Sequence, residues 1–373
     1  MSLFGSNERF LGIDIGNSAI KVVELENVKG RPKLVTYGYI EQQNTILTSD
    51  TKEAKEAIVE GLHKVREAAH TSSTNVVAAL PSYTVFTSII HLPQMGKKEL
   101  AAAVQWEAKK FVPMPIEEMI LDWKILDDES VNSDFSANVG DMQKAPGEGG
   151  PATIQSQDKK FLKILLTAAP KDLVSRYLEI FQMAKLNLVS LETESFALER
   201  ALIGNDTSPI MLIDVGAVAT TISIVVDAVP LINRSIDIGG HTITKSIATS
   251  LKIDMSRAEQ FKRDFGLAQG SDASAGQVPK RIEFLVNSIV DEIKYVLNLY
   301  QNQGNGSVQK VVLAGGSAWL PNMTQYLSSV LGIKVFIGDP WARIMYPVDL
   351  QPVLQQVGPR MAVAAGLAIR EIS

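Results

Sequence analysis

The first hydrophobic signal along the chain is a strand pattern. Leu11–Asp14 and Ala19–Leu25 are apolar runs hinged on Gly16-Asn17-Ser18, and Pro32–Glu41 continues them as an antiparallel meander. Thr51–His70 has helical periodicity, with Ala54, Ile58, Leu62 and Val65 on one face. Asn75–Leu80 and Thr84–Leu92 read as short strands. Lys97–Val112 reads as a helix closed by Pro113 and Pro115, with Leu100, Val104, Ala108 and Phe111 as its apolar stripe. Trp106 falls off that stripe, so it packs on a second element of the same domain or lines a partner groove. From Asp127 to about Lys160 the chain turns rich in Ser, Asn, Asp, Gly and Pro, the composition of a mobile loop. Beyond it come a strand (Phe161–Ala169), a helix (Lys171–Ala184), a strand (Leu186–Leu191) and a helix (Glu194–Leu202). Ile210–Val226 is strand, turn and strand. Ile243–Leu251 and Arg257–Phe265 are helical, and the polar stretch Gly270–Gln277 leads to a long helix over Arg281–Gln301. A strand at Gln309–Ala314 and helices at Asn322–Leu331 and Pro359–Arg370 complete the chain. Strands and helices are mixed throughout, so the class is α/β.

Composition narrows the chemistry. A chain of 373 residues exceeds one ordinary core, so two or more domains are expected. The absence of cysteine excludes disulfides, thiol catalysis and Cys-type zinc sites. The histidines are His63, His70, His91 and His241, none of them spaced as HExxH, which argues against a histidine-rich metal site. A formal net charge of -5 implies no broad basic face for nucleic acid. MSLFGSNERF carries no signal-peptide core, and no apolar run approaches the roughly 20 residues of a membrane span. A cytoplasmic protein is expected.

The candidate chemistry lies in a repeat. LGIDIGNSAIKVVEL (11–25) and MLIDVGAVATTISIV (211–225) share an apolar strand, Asp-x-Gly, a turn of small residues and a second strand. Such a turn can present consecutive backbone N–H groups to phosphate oxygens, starting at Gly16 and Asn17 in one copy and Gly216 in the other. Ser18, Thr220 and Thr221 add hydroxyls, and Lys21 can neutralise phosphate charge. Asp14 and Asp214 can hold Mg²⁺ through water. VVLAGGSAWLPNM places Gly315, Gly316 and Ser317 after a buried strand, where backbone can lie against a purine or its phosphates. IDIGGHTIT puts Gly239 and Gly240 before a helix whose N–H groups can face an anion. In RAEQFKRDFG, Glu259 and Lys262 share a helix face and can bracket a ribose and base, the alternative being an ordinary surface ion pair. Glu194 is the candidate for orienting an attacking water, with Glu192 as alternative and a solvated helix start as the plain reading. No GxxxxGK[ST], no GxGxxG after the first strand and no GxSxG is present.

In this order these pieces resemble the actin-like ATPase superfamily. The two hairpins look like its phosphate 1 and phosphate 2 motifs, and Val311–Leu320 like its adenosine motif. Val189–Leu202 and Gly358–Arg370 look like its two connecting helices. Within the superfamily the chain is most similar to the PilM family of type IV pilus assembly, through LPQMGKKELAAAVQWEAKKFVPMPIEEMILDW (92–123), the 168–177 segment, and GGHTIT followed by AEQFK. The resemblance implies a two-lobed actin-like fold with duplicated ribonuclease H-like subdomains and an SHS2-like 1C insertion in place of actin's 1B. Subdomain 1A would be 1–82, 187–207 and 340–373. Subdomain 1C would be 83–186 with its loop at 127–160, 2A 208–241 with 309–339, and 2B 242–308.

The resemblance further implies that ATP and Mg²⁺ bind between the lobes. The N-terminal peptide of the inner-membrane protein PilN would dock beside 1C, with Trp106 and Phe111 as groove candidates, linking the chain indirectly to PilO and PilP. The pilus motor ATPases, the platform protein and a second copy of the chain are further candidate contacts. The protein would then sit at the inner face of the inner membrane, reaching the membrane only through partners, with slow ATP turnover or none. Two departures bear on that: Ser18 stands where many relatives have threonine, and Val218 replaces the second glycine of phosphate 2, which should stiffen that turn. FtsA-like division scaffolds end in a membrane-binding helix, whereas this sequence stops at Ser373 after a helix expected to be buried. An FtsA-like scaffold and an actin-like small-molecule kinase, with Asp237 as a conceivable base, are the alternatives.

Overall fold

In the computed structural model, residues 8–42, 49–126, 161–267, 277–304 and 306–372 are described. The segment 127–160 and most of Gly270–Gln277, both expected as loops, lie outside them. The chain divides into two compact units, one of residues 1–84 and 175–373, the other of Val85–Val174.

The first unit holds two five-stranded sheets of the same topology. The opening meander is β1 (Arg9–Ile15), β2 (Ala19–Val28) and β3 (Arg31–Glu41). Helix α1 (Lys52–Ala68) crosses over so that β4 (Asn75–Leu80) lies parallel to β1. In the second unit follow β5 (Phe86–Pro93), α2 (Lys97–Phe111), β6 (Met119–Ile125) and β7 (Phe161–Pro170). Helix α3 (Lys171–Met183) leads back to β8 (Asn187–Thr193), which adds parallel to β4, and α4 (Glu194–Leu202) follows. The sheet order is β3-β2-β1-β4-β8.

The pattern then repeats. A second meander, β9 (Ile210–Val215), β10 (Thr220–Val226) and β11 (Val229–Ile236), precedes α5 (Gly240–Leu251), α6 (Met255–Phe265) and α7 (Gln277–Asn302). Strand β12 (Lys310–Ala314) lies parallel to β9. Helix α8 (Met323–Leu331) carries the chain to β13 (Lys334–Ile337), and α9 (Gln351–Ile369) follows. This sheet reads β11-β10-β9-β12-β13. Parallel neighbours need crossovers, and both sheets obtain theirs from helices in the same places.

Among the described residues, three apolar clusters help to hold this unit. Ile213, Ile222 and Leu313 pack with Ile243, Ile289 and Leu327 of the second half. Val23 and Leu25 pack with Trp341 and Ala364 in the first. A third core joins Val77 and Ala79 to Leu212 and Val312 through Ala197, Leu198, Ala362 and Leu367. Helices α4 and α9 therefore lie where strands of both sheets meet, and their small residues permit that close packing.

In the second unit, β5-β7-β6 form an antiparallel sheet covered by Leu100, Val104 and Ala108 of α2. Phe111, expected on that buried stripe, is 46% exposed. The next residue, Val112, takes the buried place four positions after Ala108 as the helix ends. Strands β6, β11 and β13 were not expected from the pattern. Helix α9 starts at Gln351 rather than Pro359: Pro352 occupies its first turn, and Pro359 lies inside the helix. No described helix is long and apolar enough to cross a membrane.

Candidate functional site

The two repeated hairpins open onto one cleft of about 1150 Å³ in the first unit. In each, the turn closes with the same hydrogen bond, Gly16 N to Ala19 O and Gly216 N to Ala219 O, both 3.0 Å. The register then sets what each aspartate faces. Asp14 lies opposite Lys21, and Asp214 opposite Thr221. Directly opposed residues of an antiparallel pair share a face, so all four side chains point to the cleft side of their sheets.

Lys21 Nζ lies 2.6 Å from Asp14 Oδ2, with both groups almost enclosed. Burial pulls the ammonium down, but Asp14, Asp214 and Glu194 outweigh it and hold Lys21 above the ordinary lysine value. Asp214 has no such partner in contact, and burial, aided by Asp14 and opposed by Lys21, pushes its carboxyl up to about 6. Glu194 opens α4 and accepts the Ser82 N–H at 2.9 Å. Burial first, then repulsion from Asp14 and Asp214, raises it to about 8. Glu192 is excluded as its alternative: it forms a fork with Arg200 at 2.7 and 2.9 Å and does not line the cleft.

Beside the second hairpin, Gly315, Gly316 and Ser317 line the cleft after β12, which pairs with β9. Gly315 has φ +87°, and a Cβ there would lie 2.4 Å from Asp214 Oδ1, so glycine is obligatory. Gly16, Asn17, Ser18, Gly216, Thr221, Gly240, Glu259 and Lys262 also reach the cleft wall.

Several expected roles are corrected by the geometry. Thr220 alternates to the other face of β10 and donates its hydroxyl to Ile238 O at 2.5 Å, so it does not meet the cleft. Gly239 is also absent from the wall. It is glycine because a Cβ would stand 2.5 Å from Ala217 O, where α5 packs on the hairpin turn. The first N–H groups of α5 are spent there too, Gly240 N on Gly216 O and His241 N on Ala217 O, both 2.8 Å. Lys262 is no surface ion pair. It is buried, and its three donors meet Gly240 O (3.0 Å), Thr244 Oγ1 (3.0 Å) and Glu259 (2.7 Å), so it anchors α6 to the start of α5. The backbone at Val218 has no positive φ, so the turn does not require the missing glycine. Asp237 is exposed and lies off the cleft wall.

Sequence reasoning missed further wall residues, among them Tyr83, Met255 and Trp319. Tyr83 follows β4, Met255 starts α6, and Trp319 stands two residues beyond Ser317, 52% exposed. Trp319 lay within the quoted glycine motif, and its exposure is the feature no periodicity reports. In the second unit Trp106 is 68% exposed, so it is not packed on a second element there. Among described residues, no group of three or more His, Asp or Glu is placed to hold a metal directly.

The model of the family described as type IV pilus assembly protein PilM matches residues 12–139 and 151–372. The chain belongs to that family. A solved PilM–PilN type IV pilus biogenesis complex aligns with TM-score 0.80 and 25% identity, over 99% of this chain and 100% of that one. MreB5 of Spiroplasma citri bound to AMPPNP aligns with TM-score 0.53 and 13% identity over 98% and 97%, a likeness of fold. The cell division protein FtsA of Enterococcus faecalis is 22% identical over 374 residues, covering 88% of this chain and 78% of FtsA. The fold is therefore actin-like, the two sheets being its duplicated halves, and the chain is an actin-like component of type IV pilus assembly.

Proposed function

We propose that the chain is a nucleotide-dependent scaffold: it holds ATP with Mg²⁺ in the cleft and docks the N-terminal cytoplasmic peptide of PilN on the inserted module, at the inner face of the inner membrane. Through PilN it would connect to PilO and PilP. The observation that carries the nucleotide half is the convergence of Asp14, Lys21, Asp214 and the Gly315–Ser317 loop on one cleft. A nucleotide in that fold has precedent in the MreB5 structure with AMPPNP. The donor set suits the cation. Asp14 and Asp214 would supply oxygen ligands, and among the described residues no group of three or more such ligands closes around them, which fits Mg²⁺ held largely through water. When bound, the ion would supply charge neutralisation for the phosphates.

The chain's own residues do the rest. The Gly16 and Gly216 N–H groups close the turns onto Ala19 O and Ala219 O, so the N–H groups offered are those that follow them, at Asn17–Ser18 and Ala217–Val218. Lys21 offers an ammonium, and the loop at Gly315 lets backbone approach closely. Glu194 is the residue placed to orient a water, but with a value near 8 it keeps its proton at neutral pH in the free cleft. A protonated carboxyl is a poor acceptor for water, which supports nucleotide holding with slow turnover. The peptide half rests on family membership, on the PilM–PilN complex and on Trp106 and Phe111 standing exposed on the second unit. A kinase needs a base beside the γ-phosphate, and Asp237 lies off the cleft wall. The domain limits are proposed as 1–82, 187–207 and 340–373 (1A), 83–186 (1C), 208–241 and 309–339 (2A), and 242–308 (2B).

The test is calorimetric titration of Mg·ATP, then of a PilN N-terminal peptide, with phosphate release followed in parallel. Micromolar binding of both with negligible release is expected. Phosphate release that rises with a metabolite pool, without peptide binding, would establish a kinase instead.

A further inference from the structure

The turn Ser82–Thr84 is where the chain leaves the first unit, immediately before Val85. Two cleft residues hold it. Asn17 Nδ2, from the β1–β2 turn, donates to the Tyr83 hydroxyl at 3.0 Å. The Ser82 N–H donates to Glu194 Oε2 at 2.9 Å. The Ser82 hydroxyl lies 3.0 Å from that of Ser195, tying the same turn to the first turn of α4. Thr84 closes it onto Pro81 O through both N–H (2.9 Å) and hydroxyl (2.7 Å), so the three residues move as one piece. Burial does not demand all of this. Tyr83 is 38% exposed, and water would satisfy its hydroxyl without Asn17.

We propose that Ser82–Thr84 is the element through which the nucleotide in the cleft sets the affinity for the peptide docked on the inserted module. The inference rests on the scaffold reading and names its regulation. A nucleotide that recruits the Asn17 carboxamide to its phosphates withdraws it from Tyr83 and frees the turn on that side. Nucleotides that differ in their phosphates then hold the turn differently, and a ligand shifts such an equilibrium only by that difference. The coupling is reciprocal, so the peptide changes nucleotide affinity by the same factor.

The test compares the intact chain with Tyr83→Phe, which keeps the ring and removes the hydroxyl. The affinity of the PilN N-terminal peptide is measured with Mg·ATP and with Mg·ADP. In the unmodified protein the two dissociation constants differ by about five-fold or more, and in Y83F the ratio falls to within about two-fold of one. Hydrogen exchange at residues 82–84 should differ between the two nucleotides in the unmodified protein and not in Y83F. A ratio of one in the unmodified protein, or an undiminished ratio in Y83F, overturns the inference while leaving the scaffold intact. Failure of nucleotide or peptide to bind at all overturns the scaffold reading itself.

Discussion

Glu194→Gln should change how stability depends on pH, and the structure sets the size. Glu194 is enclosed and stands near Asp14 and Asp214, which lifts it from an ordinary 4.5 to about 8. The native chain therefore holds this proton more tightly than the unfolded chain, and between those values it binds more protons. Stability must fall as pH rises across that window. The whole difference corresponds to about 5 kcal/mol at about 1.4 kcal/mol per pH unit. From pH 6 to pH 9 the loss is about 2–3 kcal/mol, because the share between 4.5 and 6, where the unfolded group has already ionised, is gone by pH 6 and little remains above pH 8. Glutamine keeps an acceptor for the Ser82 N–H and has nothing to titrate. Urea unfolding of nucleotide-free protein, read by tryptophan fluorescence at pH 6 and pH 9, should show the unmodified chain losing about 2–3 kcal/mol more than E194Q. Parallel pH profiles would mean that Glu194 is ionised in the folded cleft, and the account of its burial and neighbours would fail.

Removal of Asp14 should cost stability as well as Mg·ATP affinity. Its partner Lys21 would be left enclosed and unpaired, a loss of about 3–5 kcal/mol for Asp14→Ala by denaturation, so an unchanged midpoint would refute the pairing. Gly315→Ala should destabilise by about 1–3 kcal/mol and weaken nucleotide binding, because φ +87° and the contact with Asp214 exclude a Cβ; calorimetry of folding and of ATP binding checks both. Trp106→Ala should leave stability within about 0.5 kcal/mol, yet reduce PilN-peptide affinity about ten-fold or more. Equal loss of both would return Trp106 to a structural role.

Most of the fold was legible because its elements follow period-two and period-3.6 patterns, and because Asp-x-Gly recurs two hundred residues apart. The missed strands share a physical cause. KVFI is a four-residue edge strand, too short for its period to register and with apolar Phe336 on the exposed side, while MILDWKI and VPLINRSI are mostly half-buried and hold no sustained alternation. Helix α9 was read from its proline because a proline at the first turn and one inside a helix look alike in sequence. At the site, residue types were legible but partners were not. Lys262 read either as one side of a ribose bracket with Glu259 or as half of a surface ion pair, until the fold brought Gly240 O and Thr244 beside it. Thr220 and Thr221 are adjacent in sequence, yet one pleat sends them to opposite faces.

The repeat also hides an asymmetry that register brings out. Counting seven residues on from each aspartate gives Lys21 in the first hairpin and Thr221 in the second, and these are the cross-strand partners found. The halves share a backbone, down to the same 3.0 Å turn hydrogen bond, but not a charge. Asp14 sits beside an ammonium, while Asp214 faces a hydroxyl and is pushed up to about 6. A symmetric pair of lysine-neutralised aspartates would leave little demand for a further cation in the cleft. A symmetric pair of unneutralised ones would repel each other across it. With one of each, a single carboxylate stands ready to ionise fully when positive charge arrives, and Lys21 already screens the other. In the proposed nucleotide site the duplicated hairpin would thus supply the cradle twice and the counter-charge once, the imbalance that suits a polyphosphate with its cation.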